Sequence, residues 1–266
     1  MAKIENQRIL LWCKHETGLH TTLIDAAQMA LILEKELCFF ANYSNQKEKA
    51  ELEKRVQVYA NTVKADIPDL NVSVLLLKGK LKNLMEPLGE KYNSIMLCCS
   101  GKLHYSLLKA FYKSGFPFYF SHENNNKQAF KKIIIPVDYR NSTKESVLWG
   151  SYFGRFNQSD IVLHAADHQN DSGLQYRVDE IIAFARKLYG QFTFNFWTDK
   201  GLSGSFGIHR EAMKLSEAYN LLIFTGSYNV TLFDYLIGTF EQRIVKRRRS
   251  PVLLINPRRE MYVLCD

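Results

Sequence analysis

The sequence predicts an α/β protein of two tandem domains, each built on a five-stranded parallel sheet. Three observations carry that prediction. Apolar strand-like runs alternate with helix-patterned stretches from end to end, as in successive βαβ units. The pattern then repeats, five runs followed by five. The length of 266 residues suits two domains of roughly 125 to 135 residues, given about 150 residues per domain.

The strands expected in the first half are Ile9–Cys13, Leu37–Ala41, Val72–Leu77, Ser94–Cys99 and Phe116–Phe120. Those in the second are Ile133–Val137, Asp160–His164, Phe192–Trp197, Leu221–Thr225 and Val252–Ile255. Between them, Leu52, Val56, Tyr59 and Val63 fall on one face of a helix that Asn45 and Glu48 are placed to cap. Val178, Ile181, Ile182, Ala185 and Leu188 line its counterpart. Each half thus has a helical stripe to bury against a sheet.

Residue echoes point to duplication. Glu90-Lys91-Tyr92-Asn93 precedes the fourth strand of the first half, and Glu217-Ala218-Tyr219-Asn220 precedes that of the second, 127 positions on. The opening strands, around Trp12-Cys13-Lys14 and Pro136-Val137-Asp138, are 124 apart. The polar stretch Glu123–Gln128 has no apolar period and reads as the linker, giving domains 1–127 and 128–266.

Composition closes off several classes. Hydrophobic residues make up 46% of the chain and charged residues 23%, enough for a core in each half, which excludes disorder and a disulfide miniprotein. No apolar run reaches the roughly 20 residues of a membrane span, and the polar start Met1–Arg8 lacks a signal-peptide core, so a cytoplasmic location is expected. Cys13, Cys38, Cys98, Cys99 and Cys265 form no C-x-x-C pair and read as reduced, mostly buried thiols. Net charge is +8, concentrated at Lys246-Arg247-Arg248-Arg249. That run suits a helix end whose charge complements the dipole; it also offers an anion, membrane or nucleic-acid patch, the nucleic-acid reading being the weaker.

In an open parallel sheet, ligands bind beyond the carboxyl ends of the strands where strand order reverses. For an order of 2-1-3-4-5 or 3-2-1-4-5, the loops leaving the first and fourth strands face that crevice. In the second half the fourth strand runs into Gly226-Ser227-Tyr228-Asn229, then eight residues, then Gly238-Thr239 opening an apparent helix. Gly or Asn at positive φ converges backbone N–H groups on an anion, and a helix N-terminus adds partial positive charge. A turn plus a helix-packing glycine is the plain alternative.

These residues resemble the universal stress proteins, over essentially the whole chain as two copies. Ile133-Ile134-Ile135-Pro136-Val137-Asp138 is similar to that family's opening strand and its Asp, Val162-Leu163-His164-Ala165 to the second strand, and Ser250–Ile255 to the closing strand. Gly226 to Thr239 resembles its nucleotide loop, G-x2-G-x9-G-(S/T), with Asn229 for the second Gly and a spacer of eight residues rather than nine. The resemblance implies two flavodoxin-like domains of the adenine nucleotide alpha hydrolase type, paired through their closing strands as an internal pseudo-dimer. It implies ATP or a related adenine nucleotide in the second domain, with Mg²⁺ accompanying the triphosphate. Asp138 would approach ribose or metal, Leu163 and His164 the base, and Gly226, Ser227, Asn229, Gly238 and Thr239 the phosphates.

The first half departs further. Its fourth strand exits into Ser100-Gly101-Lys102, Pro117 follows Ser100 by only 17 residues where Pro251 follows Gly226 by 25, and Lys14 stands where Asp138 stands. It reads as a degenerate copy without a family-type site.

Other signals are weak. Gly201-Leu202-Ser203-Gly204-Ser205-Phe206-Gly207 lacks the Gly-Lys-Ser/Thr ending of a Walker loop and reads as a connection bordering the crevice. His164 and His168 are four apart, but the first closes a strand, which argues against a metal pair. His15-Glu16 with His20 is one residue too long for H-E-x-x-H, and no G-x-S-x-G elbow occurs. No residue set points to catalysis beyond slow ATP hydrolysis. The expectation is a sensing or regulatory protein of the stress response with an adenine nucleotide, or another small anion, in its second domain. The alternative is a protein-interaction module that keeps the fold without the site. Association into a homodimer fits either.

Overall fold

The computed structural model describes residues 7–14, 18–122, 130–227 and 238–257, which fall into two compact units on either side of residues 123–129. The linker expected at Glu123–Gln128, and with it the boundary at 127, lies outside the described residues. No helix among the described residues is long and apolar enough to cross a membrane.

The first unit runs β1 (Arg8–Trp12), α1 (Leu19–Ile32), β2 (Glu36–Tyr43), α2 (Gln46–Asp66), β3 (Val72–Lys78), α3 (Leu81–Glu90), β4 (Ser94–Cys99), α4 (Tyr105–Phe111) and β5 (Phe118–Phe120). The second runs β6 (Lys132–Val137), α5 (Thr143–Asn157), β7 (Asp160–Ala166), α6 (Ser172–Tyr189), β8 (Phe196–Gly201), α7 (Ser205–Leu215), β9 (Leu221–Thr225), α8 (Phe240–Arg247) and β10 (Val252–Ile255). Strand order within the first unit is β3-β2-β1-β4-β5 and within the second β8-β7-β6-β9-β10, all parallel. Of the two orders the sequence left open, both units adopt 3-2-1-4-5.

Local chemistry explains the elements. The Asn45 side chain accepts the Glu48 N–H at 3.0 Å to start α2, whose Leu52, Val56, Ala60 and Val63 are buried. Asp171 caps α6 through the Leu174 N–H, and Val178, Ile181, Ile182 and Ala185 form its buried stripe. The echoed asparagines tie the first strand of each unit in place. Arg8 N–H donates to the Asn93 carbonyl and Lys132 N–H to the Asn220 side chain, both at 2.9 Å.

One strand is displaced from its expected position. Phe192–Trp197 was the expected strand, whereas β8 is Phe196–Gly201. Phe194 is buried instead as an aromatic plug, edge-on to Tyr189 with ring centroids 5.1 Å apart, and Phe192 stacks against Phe194. Aromatic β propensity is there satisfied by packing rather than by pairing. Gly201, expected in a loop, therefore ends β8.

In the second unit α5 packs against α6, and α7 against α8, as the right-handed crossovers general to βαβ units require of this strand order. Accordingly Phe240 of α8 meets Phe206 and His209 of α7 at ring-centroid distances of 5.3 and 5.5 Å. The pairing between β6 and β9 covers only Ile133↔Leu221 and Ile134↔Leu222. Beyond it the two strands part, and the candidate site lies in that gap.

Candidate functional site

β6 delivers Asp138 into the gap, where its side chain is fully buried. An isolated carboxylate there would be prohibitively costly, and three hydrogen-bond donors compensate it. Oδ1 accepts the Arg140 N–H at 2.9 Å and the Thr143 hydroxyl at 2.6 Å; Oδ2 accepts Arg140 Nε–H at 2.6 Å. His209 Nδ1 stands 3.9 Å from Oδ2. Burial pushes the Asp138 carboxyl up, but Arg140, His209 and the hydrogen bonds outweigh it, and the net displacement is downward.

The rest of the Arg140 guanidinium crosses to β9. Nη1 donates to the Gly226 carbonyl at 3.0 Å and Nη2 to the Thr225 carbonyl at 3.2 Å. Nη2 also lies 3.4 Å from His209 Nε2. His209 Nδ1 is 2.6 Å from the Ser205 carbonyl, so Nδ1 carries the proton and Nε2 is the acceptor. Burial lowers the His209 pKa and Arg140 lowers it further, against the opposing pull of Asp138.

The loop leaving β9 is engaged as well. Gly226 N–H donates to the Ile255 carbonyl at 2.9 Å. The Ser227 N–H and hydroxyl both donate to Glu241 Oε1, each at 2.6 Å, and Glu241 is fully buried in the first turn of α8. Gly238 takes φ +84°, a turn open to glycine, and Thr239 caps α8 in a capping box with Gln242. Asn229 lies outside the described residues.

Leu163 and His164 sit at the buried end of β7, opposite Ile135 and Pro136 on one side and Thr198 and Asp199 on the other. The His164 ring lies against Gly201, with Nε2 3.2 Å from Glu211 Oε2. Glu211 in turn accepts the Leu202 N–H at 2.7 Å. Arg140 thus links Asp138 to Gly226, and Glu241 links Ser227 to the helix that Gly238 and Thr239 open, while His164 belongs to a separate cluster. Sequence reasoning missed Arg140, His209 and Glu241. Arg140 carried one signal, a cation two residues beyond the candidate Asp.

Among the described residues, both Asp138 oxygens are taken, Arg140 spans the gap, and a carboxylate already holds the Ser227 donors, so as placed Asp138 and Ser227 offer no free group to ATP with Mg²⁺. No cluster of His, Cys, Asp or Glu among the described residues is arranged to hold a metal ion. In the first unit, Lys14 Nζ donates to Glu48 at 2.6 Å and to the Asn42 carbonyl at 3.3 Å, and Trp12 Nε1 donates to Asn42 Oδ1 at 3.1 Å.

The fold is that of the universal stress proteins. A universal stress protein from Archaeoglobus fulgidus superposes with a TM-score of 0.67 at 10% identity, over 94% of this chain and 96% of that one. A functionally unknown protein from Pseudomonas aeruginosa gives 0.62 at 14%, over 95% and 93%. A putative universal stress protein from the same species gives 0.61 at 14%, over 94% and 93%. No family model and no curated protein sequence matches the chain. The chain has the universal stress protein fold over nearly its whole length, consistent with two tandem domains.

Proposed function

We propose that this is a regulatory module of the universal-stress type that works through a protein partner, with the crevice of its second unit closed by its own side chains. The observation that carries this reading is Glu241. Its carboxylate receives the Ser227 N–H and hydroxyl, the donors that a phosphate would take in the family resemblance. An anion supplied by the chain leaves a bound phosphate with nothing to gain there and adds like-charge repulsion. Arg140 completes the closure from the opposite side. The names of two of the similar structures support a role in stress adaptation.

The competing reading, ATP or another adenine nucleotide held by Asp138, Leu163, His164, Gly226, Ser227, Asn229, Gly238 and Thr239, requires Arg140 and Glu241 to move out. The φ of Gly238 and the start of α8 beside Glu241 favour it. Calorimetric titration of the full-length protein with ATP and Mg²⁺ separates the two. The proposal expects no saturable heat at millimolar nucleotide. Micromolar binding to the unaltered chain, lost in Gly226→Val, would establish the nucleotide reading instead.

A further inference from the structure

The second unit has another opening, a cleft of about 440 Å³. The loop from β6 and the first turn of α5 contribute Ser142, Lys144 and Glu145, and α6 contributes Arg177 and Glu180. None of the described residues matched to the nucleotide loop lines it, and Arg140 alone is shared with the crevice. Its size falls within the range of small-molecule sites.

Ser142 is 8% exposed and lines the cleft, yet its hydroxyl oxygen has no hydrogen-bond partner among the described residues. Its backbone carbonyl is used, accepting the Thr225 hydroxyl at 3.2 Å, so the residue is fixed while its side chain is idle. Buried hydroxyls in folded proteins find partners, and an idle one on a cleft wall marks where a ligand atom belongs.

The charges around it form no ion pairs. Lys144, Glu145, Arg177 and Glu180 pair neither with one another nor with any other described residue, and Lys144 Nζ rests 5.7 Å from the centroid of the Phe184 ring. Lys144 and Glu145 are only partly exposed, and burial raises the Glu145 carboxyl above its ordinary range. Two cations and two carboxylates cancel, while Arg140 is neutralised by Asp138. A polyanion such as a triphosphate gains nothing from such a wall. A ligand bearing both signs can pair each charge and also accept from Ser142.

We propose that this cleft binds a small zwitterion, a molecule with one ammonium and one carboxylate, of the free amino acid class. The carboxylate faces Lys144, Arg177 and the Ser142 hydroxyl, and the ammonium faces Glu145 and Glu180. The test is calorimetric titration of the full-length protein with each standard L-amino acid at millimolar concentration. At least one is expected to give saturable heat. Ser142→Ala and Lys144→Met should each weaken it by about tenfold, equivalent to about 1.4 kcal/mol, without changing the circular dichroism. The N-acetyl amide of the same amino acid, which carries neither backbone charge, should give none. Absence of saturable heat with every amino acid overturns the proposal. So does an affinity that both variants leave unchanged, or equal binding of the capped derivative.

Discussion

His209 Nε2 accepts a hydrogen bond from Arg140 Nη2 at 3.4 Å while its Nδ1–H is held by the Ser205 carbonyl at 2.6 Å, so closure of the crevice depends on a neutral imidazole. A second proton has only Nε2 to bind, where it would face the guanidinium. The charged groups acting on the ring are Asp138, Arg140 and Glu241, with Phe224 and Phe240 edge-on at 5.9 and 5.5 Å.

This fixes the sign of a pH effect. The folded pKa of His209 lies below its ordinary value of 6.5, chiefly through burial. The unfolded chain therefore binds the proton first as pH falls. The stability linked to His209 is complete above 6.5 and is lost as pH drops from there through the folded pKa. Asp138, also depressed, adds a further loss only below its ordinary 3.8. Melting temperature should decline between pH 7 and 5, and His209→Gln should flatten that decline while leaving the fall below pH 4. An equally steep decline in the variant would show that other groups carry it.

Removing Arg140 should be costly for a different reason. Arg140→Ala leaves the buried Asp138 carboxylate with the Thr143 hydroxyl and one backbone N–H as hydrogen-bond donors. Breaking a buried pair from one side typically costs about 3 to 5 kcal/mol, whereas removing both charges costs far less. Urea denaturation should show Arg140→Ala well below wild type, and Arg140→Ala with Asp138→Asn recovering part of the loss. Additive losses in the double variant would contradict the coupling.

How far the sequence carried the reading depended on the range of the interactions involved. Strands β4, β9 and β10 match their expected bounds because continuous apolar runs ended by polar or turn residues define them locally. β8 was misplaced because Phe194 packs against Tyr189, a tertiary event that strand propensity does not reveal. Asp138 and Gly226 could be nominated from their positions at strand ends. That Arg140 bridges them and that Glu241 reaches back to Ser227 requires the chain to fold over distances of 86 and 14 residues. The side chains that fill the gap between β6 and β9 were therefore illegible.

Gly201 offers a steric test of the His164 cluster. A Cβ there would lie 2.5 Å from His164 Nε2 and 2.8 Å from Glu211 Oε2, and closer still to Ile208 Cδ1. Ile208 is fully buried and His164 nearly so, so neither has free space into which to retreat. Overpacking of this kind costs about 1 to 3 kcal/mol. Gly201→Ala should lower the urea midpoint without changing the denaturant slope. A variant as stable as wild type would mean that β8 ends elsewhere.

The cysteines test the core of the first unit, since all four described thiols are buried there and none is in a disulfide. Burial pushes Cys13 up to about 12 and Cys38 to about 11, and raises Cys98 and Cys99 far above the ordinary thiol range. Arg55 near Cys13 and Ser73 near Cys38 pull the other way without overcoming desolvation. At neutral pH these groups are protonated, and the thiol rather than the reactive thiolate is present. Labelling with an aromatic disulfide reagent should therefore modify these four only as fast as the unit opens. Full reaction is expected in denaturant, together with a labelling rate in native buffer that rises with urea below the unfolding midpoint. Peptide mapping that finds Cys98 or Cys99 modified at the rate of a free thiol in native buffer would contradict a closed core around β4.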